Sequence, residues 1–182
     1  MRSALCRLLG VVLLTLLGIV SAPAQSYQLG AQFSGMHLHK IDEAPFGIGL
    51  RFNSKLFRFV GTDAELTHYP TNPSGNFGET SALVGIRAGK SLGAAGVFGN
   101  VRPGVIHFGG AYFVERMDQR THPMLSVGGT LEYYPNRRTF LRIEIADAVI
   151  YYGSTRLFNR LNPDALGTVH NFQPGFGFGF RF

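Results

Sequence analysis

The 182-residue chain carries a net charge of +6, contains one cysteine and no tryptophan, and has only 15% charged residues against 45% hydrophobic ones. One cysteine cannot form an intramolecular disulfide, and the basic residues are not gathered into the runs that bind nucleic acid. These features exclude a disulfide-stapled domain and argue against a nucleic-acid partner, and the length suits a single domain.

The N-terminal segment has the three parts of a secretory signal. Arg2 and Arg7 supply positive charge, Leu8–Val20 is almost wholly apolar, and Ser21–Ala24 places small residues at both key positions of an A-x-A cleavage site. The alternative is a membrane-spanning helix, but the apolar run is shorter than the roughly 17–25 residues that a bilayer requires. We therefore expect an exported chain that is cleaved after Ala24.

This cleavage would divide the chain into a signal peptide, residues 1–24, and one domain, residues 25–182. The single cysteine, Cys6, would leave with the signal, so that the mature chain has no thiol. No second apolar stretch approaches the length of a membrane-spanning helix. A membrane protein made from this domain would have to cross the bilayer with strands.

Eight segments of this domain alternate between apolar and small or polar residues with a period of two, which is typical of β-strands. In the last of them the even positions from 172 to 182 hold five phenylalanines and a proline, while the odd positions hold glycine or polar residues. The segments are, in chain order, 27–34, 46–53, 60–67, 82–89, 100–105, 127–133, 141–146 and 171–182. An even number of such segments predicts an all-β, eight-stranded antiparallel up-and-down transmembrane β-barrel with its apolar faces toward lipid.

The connections between these segments alternate in length. Short connections with turn residues are predicted at 53–55, 90–96 and 135–138, and longer ones at 38–44, 69–79, 109–123 and 150–167. Membrane barrels have short periplasmic turns and long external loops, so both termini are expected in the periplasm. A soluble lipocalin-like barrel is the alternative, although its outer face would need more charges than these glycine-rich polar faces supply.

The polar faces carry a set of arginines and carboxylates that would point into the barrel. The interior of an eight-stranded barrel is just wide enough for side chains to fill, and charges there are costly unless they are paired. We predict an internal network in which guanidinium groups meet carboxylates through parallel hydrogen bonds. A polar pore or catalytic carboxylates are the functional alternatives. The predicted network consists of Arg51, Asp63, Glu65, Arg87, Arg102, Glu132, Arg142, Glu144 and Arg181.

Several segments together resemble the outer membrane protein β-barrel domain family, the small eight-stranded barrels similar to OmpA and OmpX. These segments are Leu29–Phe33, Val101–Val105, Leu131–Pro135, Leu141–Glu144 and Gly177–Phe182. The resemblance implies an outer-membrane location and recognition of an aromatic last strand by the outer-membrane assembly machinery. The implied assembly signal consists of Phe176, Phe178, Phe180 and Phe182. The resemblance also implies an interfacial aromatic girdle, which in a chain without tryptophan would use Tyr27, Tyr133 and Phe108.

The residues that could carry chemistry form no recognisable motif. All six histidines lie near predicted external strand ends, but without a metal-ligand spacing, so we expect no metal site and no cofactor. Some barrels of this size modify lipid A with Ser/His/acid sites. The residues of this chain that could contribute to such a site are Ser81, Ser126, His107 and His170. Nucleophilic catalysis requires a base within hydrogen-bond reach of the nucleophile, and no motif connects these residues.

We therefore expect a monomeric, non-enzymatic envelope protein whose partners are outer-membrane lipids and lipopolysaccharide. A lipid A-modifying enzyme and a narrow channel are the alternatives. The preferred contact surface is the loop at 150–167, which combines basic with apolar side chains, although a merely solvated loop is an equal alternative. The side chains concerned are Arg156, Leu157, Phe158, Arg160 and Leu161.

Overall fold

Antiparallel strands, each hydrogen-bonded to its neighbours in sequence, close into a barrel through the pairing of the first strand with the last. The structure is a computed structural model, and it describes residues 27–39, 44–70, 78–110, 114, 117–156 and 165–182. Within these ranges the strands are β1 (Tyr27–Gly35), β2 (Phe46–Lys55), β3 (Val60–Tyr69), β4 (Glu79–Leu92), β5 (Ala95–Phe108), β6 (Thr121–Tyr133), β7 (Thr139–Arg156) and β8 (Ala165–Arg181). The predicted all-β, eight-stranded up-and-down barrel is confirmed.

Strand alternation divides the side chains between the outside of the wall and the lumen. In β8, Phe176 is 46% exposed whereas Gln173 is 2% exposed, and Phe176 lies beside the outward-facing Phe33 and Ile143 of the two neighbouring strands. The same division holds in β2, where Leu50 faces outward and Arg51 is buried. Because the period of a strand is two, one apolar face on each strand gives the closed barrel an apolar exterior.

The first short turn lies three residues later than the sequence predicts. The predicted turn at 53–55 belongs to β2, and the chain reverses at 56–59, where the amides of Leu56 and Phe57 donate to the Val60 carbonyl at 3.0 and 2.9 Å. The prediction was wrong because Asn53 was taken as a turn former. Its side chain instead points into the lumen and donates to Asp63 at 2.8 Å.

The other two short connections fall within or around their predicted ranges. The β4–β5 connection is only Gly93 and Ala94, so most of the predicted range 90–96 is strand. Gly93 adopts φ = 64°, a left-handed conformation that a tight reversal needs and that glycine accepts without a steric penalty. In the β6–β7 turn, Asn136 Oδ1 accepts from the amides of Arg138 and Thr139 at 2.8 and 2.9 Å, an Asx turn.

The β7–β8 hairpin rises further than the sequence predicts. The range 150–167, predicted as a loop, is largely strand, because β7 continues to Arg156 and β8 begins at Ala165. Register shifts occur near Gly153, which has φ = 62° and faces Gly167 across the hairpin. The predicted contact residues at 157–161 lie outside the described residues. Among the described residues, no helix has the length and apolar character needed to cross a membrane.

Candidate functional site

The centre of the lumen holds a cluster of buried ions around Glu144. Arg51 donates through Nε to Asp63 Oδ1 at 2.7 Å and also forms an ion pair with Glu144. Arg102 donates through Nη1 to Glu65 Oε2 at 2.7 Å and through Nη2 to the other oxygen of Glu144. Glu144 therefore bridges two arginines, each of which has a second carboxylate partner. Such mutual pairing is what makes charges tolerable in a lumen closed to water.

A second ion cluster, around Glu132, lies closer to the end of the barrel that carries the short turns, which the sequence predicts to be periplasmic. Arg142 Nη2 approaches Glu132 Oε1 at 2.6 Å, and Arg87 Nη2 approaches the same oxygen at 2.9 Å. The other carboxylate oxygen accepts from Tyr134 Oη at 2.7 Å. Tyr134 belongs to the β6–β7 turn, and its burial, together with the nearby Glu132 charge, raises the pKa of its hydroxyl to about 12. Tyr134 therefore stays a neutral hydrogen-bond donor.

Asn53 joins the two clusters. Its Nδ2 donates to Asp63 in the central cluster, and its Oδ1 accepts from Arg87 Nη1 at 3.0 Å and from Arg142. The sequence prediction omitted this residue, as it omitted other inward-facing amides and hydroxyls that complete the network. Strand parity was the signal that could have identified them. These additional members are Gln28, Gln32, Asn100, Ser126 and Thr130.

Arg181 stands apart from the eight other predicted lumen residues. Its guanidinium stacks on the ring of Tyr134, 4.1 Å from the centroid, and it has no ion pair with any carboxylate of the described residues. Its Nε atom is buried without a hydrogen-bond partner. Of the nine predicted lumen residues, four arginines thus lie with four carboxylates, and Arg181 lies at the mouth on the side of the short turns. Glu79, which has the inward parity of β4, is a further buried carboxylate of the lumen that the sequence prediction omitted.

The opposite end of the lumen, on the side of the long connections, holds a cluster of buried apolar side chains, a feature the sequence prediction missed. Glu79 and His122 are also buried at this end. Buried side chains from several strands pack together there above the ions. Tyr69 lies at the boundary, where its hydroxyl is 3.2 Å from Ser34 Oγ and accepts from Gln173 Nε2 at 3.1 Å. We call this set the apolar cap. It consists of Met36, Leu38, Tyr69, Leu83, Ile106, Phe108, Met117, Met124, Ala148, Ile150, Tyr152 and Val169.

Phe108 belongs to this apolar cap, so its predicted place in an interfacial aromatic girdle was wrong. Phe108 is fully buried and its ring lies 5.8 Å from that of Tyr152, inside the barrel. It shares strand parity with the inward-facing Arg102, so an outward girdle position was never open to it. The two tyrosines predicted with it do reach the exterior: Tyr133 is 54% exposed, and Tyr27 stacks on the outward-facing Phe52 at 6.0 Å.

Three histidines lie on the outside of the wall toward the end that carries the long connections. His68 and His107 hydrogen-bond through Nδ1 to Thr80 and Thr121 on adjacent strands, at 2.9 and 2.8 Å. His170 Nδ1 lies 2.6 Å from Asp147 Oδ2. No group of three or more potential metal ligands comes together within the described residues.

The four residues considered for a nucleophilic site lie on opposite sides of the wall. Ser81 and Ser126 are fully buried inside the barrel, and Ser126 Oγ accepts from Arg102 at 2.9 Å. His107 and His170 are outside and hydrogen-bond to other partners. Neither histidine can therefore serve as the base for either serine.

The barrel matches solved structures, whereas no family model and no curated protein matches the sequence. Neisserial surface protein A superposes with a TM-score of 0.62 at 13% identity, covering 89% of this chain and 99% of that chain. The N-terminal β-barrel domain of Pseudomonas aeruginosa OprF gives 0.52 at 14% identity, with coverages of 88% and 100%. The attachment invasion locus protein Ail of Yersinia pestis gives 0.52 at 14% identity, also with 88% and 100%.

These likenesses show the fold of the small outer-membrane barrels and confirm, at that level, the resemblance predicted from the sequence. A barrel from the de novo design of transmembrane β-barrels also matches, with a TM-score of 0.50 and 9% identity. A fold that can be designed without a biological role does not by itself specify a function. Any function of this barrel therefore depends on the side chains of its wall, its lumen and its two mouths.

Proposed function

We propose that this chain, which has the fold of a small outer-membrane barrel, is a monomeric integral protein of the outer membrane with a structural, surface-exposed role and no enzymatic activity. The observation that carries the proposal is the pairing of an apolar exterior with a lumen filled by matched ions. A soluble barrel would need the opposite arrangement, because its apolar side chains would gather inside and its charges would face water.

The exterior supports residence in a bilayer. Val84, Leu50 and Ile143 are each more than half exposed, although they lie in the middle of their strands. Monomeric soluble proteins rarely expose contiguous apolar patches larger than a few hundred Å². In a membrane the same side chains contact acyl chains, and the closed barrel leaves no strand edge unpaired.

The rim of the exterior supports contact with lipid headgroups. The pairs His68–Thr80 and His107–Thr121 lie next to each other in register across β3 to β6, above the apolar band. At the periplasmic end, Tyr133 faces outward at the height where interfacial aromatic residues gather. We infer that outer-membrane lipids and the phosphate-bearing headgroups of lipopolysaccharide are the partners of this surface.

The proposal includes export and assembly. Residues 1–24 lie outside the described residues, so the signal peptide and its cleavage after Ala24 stay predictions. The predicted assembly signal forms one outward row along β8 and the residue that follows it, and β8 closes the barrel against β1. A side-chain row that is exposed on the last strand is open to recognition before the barrel closes. The row consists of Phe176, Phe178, Phe180 and Phe182.

Membrane fractionation of the native host tests the proposal. We expect the protein in the outer-membrane fraction, and we expect its gel mobility to shift on boiling, because a closed barrel resists detergent until it is heated. Recovery in the soluble fraction, or an unshifted band, would contradict a membrane barrel.

The lumen argues against the channel alternative. The apolar cap lies above two clusters of buried ions, so the described lumen offers no continuous water-lined path between its mouths. We expect no stable conductance steps from the purified protein in planar bilayers. Reproducible conductance steps that grow with salt concentration would show that the lumen conducts ions and would support the channel alternative instead.

One observation favours the lipid A-modifying alternative. His170 and Asp147 form an acid–histidine pair on the outer wall, both partly exposed, on the side that would meet the outer leaflet. Within the described parts of the chain, no hydroxyl group hydrogen-bonds to either member of this pair. Mass spectrometry of lipid A after overexpression decides this point: we expect an unchanged lipid A profile, and a mass change that is lost in His170→Ala would establish the enzyme.

A further inference from the structure

The periplasmic mouth of the barrel contains a cavity of about 130 Å³ that the proposed function does not use. It lies between the β2–β3 turn and the β6–β7 turn. Four cationic side chains line it, and no carboxylate does so among the described residues. These cations are Lys55, Arg58, Arg87 and Arg181. We propose that this cavity is a binding site for a phosphate-type oxyanion.

Arg181 lacks a carboxylate partner at this mouth among the described residues. In the rest of the lumen every arginine meets a carboxylate, whereas Arg181 has only the ring of Tyr134. The carboxylate of Glu132, in the adjoining ion cluster, is already committed to Arg87, Arg142, Gln28 and Tyr134. A buried donor without an acceptor is unfavourable, and Arg181 Nε is such a donor, as is Arg102 Nε deeper in the lumen. An anion entering from the periplasm would supply the missing acceptor.

Two guanidinium groups at the cavity are held in place by aromatic rings. Arg181 is stacked on Tyr134, whose hydroxyl is held by Glu132 at 2.7 Å and lies 3.2 Å from Ser91 Oγ. Arg87 is also stacked, on Phe98 with its guanidinium 3.7 Å from the ring centroid, but its terminal nitrogens are engaged by Glu132, Gln28 and Asn53, so it contributes positive charge rather than a free edge. Stacking fixes the plane of a guanidinium, so less conformational freedom is lost when its edge binds an oxyanion. The positive charge is therefore in place before any ligand arrives.

The size and lining of the cavity also fit a small oxyanion. About 130 Å³ is well below the roughly 300–1,000 Å³ of pockets that hold drug-sized ligands, so the cavity suits one small charged group. Arg181 belongs to β8, whereas the exposed Lys55 ends β2 and the exposed Arg58 lies in the β2–β3 turn. Cations supplied by different parts of the wall suit phosphate, which offers several strong acceptor oxygens, better than a planar carboxylate.

Calorimetric titration of inorganic phosphate into the full barrel in a non-ionic detergent tests this site. We expect saturable binding to the unmodified protein. Arg181→Gln should weaken it about tenfold or more, because charge-assisted hydrogen bonds are the strong ones. Arg58→Gln changes only an exposed turn residue and should also weaken binding, which keeps the test valid if Arg181→Gln folds poorly. Arg138→Gln is the matched control, since it removes an exposed charge from the same end of the barrel but outside the cavity.

Nanodiscs distinguish the two sources of phosphate. If a phospholipid headgroup occupies the cavity, adding anionic phosphatidylglycerol to phosphatidylcholine discs should abolish the binding of free phosphate. If the ligand is free phosphate, binding should persist in both discs. Either result supports the oxyanion site. The proposal is overturned if phosphate gives no saturable heat in detergent, or if Arg138→Gln weakens binding as much as Arg181→Gln does.

Discussion

Replacing Glu144 with glutamine is expected to lower the free energy of unfolding by about 3 kcal/mol. Glu144 is 3% exposed and forms ion pairs with both Arg51 and Arg102. Removing one partner from a buried ion pair costs about 3–5 kcal/mol, because the remaining charge is left uncompensated. We expect the lower end of that range, since Arg51 keeps Asp63 and Arg102 keeps Glu65. Denaturant unfolding of the refolded barrel in detergent micelles would measure the change.

Asp147→Asn is the matched control for this experiment. It removes a carboxylate three positions along the same strand, from an ion pair with His170 that faces outward and is partly exposed. Exposed ion pairs contribute about 0–1 kcal/mol, so the control should change stability by no more than this amount. Equal losses in the two variants would mean that the lumen network does not stabilise the barrel.

Replacing Phe176 with arginine is expected to cost about 2–4 kcal/mol in a bilayer. Phe176 lies in the middle of the outward row of β8, beside Phe33 and Ile143. Arginine on the lipid face of a membrane barrel carries this penalty near the bilayer midplane and much less near the interfaces. Unfolding of the barrel in phospholipid vesicles would measure the effect, with Phe176→Leu as the control because leucine keeps the site apolar.

The same variant separates a membrane barrel from a soluble one. If the exterior faced water, arginine at position 176 would be solvated and would cost little or nothing. A large loss for Phe176→Arg with a small loss for Phe176→Leu therefore supports a lipid-facing wall. Indistinguishable results for the two variants would contradict the proposed location in the membrane.

Strand parity was readable from the sequence because successive side chains of a strand point to opposite sides of the wall. It placed Phe176 outside and Arg51 inside without any knowledge of the neighbouring strands. The same rule could have placed Phe108 inside, since Phe108 has the parity of Arg102. It did set Asn53 on the polar face of its segment, but the residue was also counted in a turn and left out of the lumen network. These errors came from assigning residues by type where position along the strand was decisive.

The position of each side chain along the barrel axis could not be predicted from the sequence, because it depends on the register between strands. Glu144 meets Arg51 across the lumen from a position 93 residues away, and no local pattern specifies that encounter. Arg181 shares inward parity with the other arginines but lies at the mouth on the side of the short turns, where no carboxylate of the described residues forms an ion pair with it. Ile106 and Met124 likewise face inward, and only the closed register brings them together as a cap.

The amino-acid sequence by itself therefore determined the number of strands, the side of the wall that each side chain faces and the chemical contrast between lumen and exterior. All three follow from local periodicity. The tertiary structure alone decided which ions pair, where the lumen becomes apolar and which arginine is left unmatched, because barrel closure and strand register set the distances between residues that are far apart in the chain.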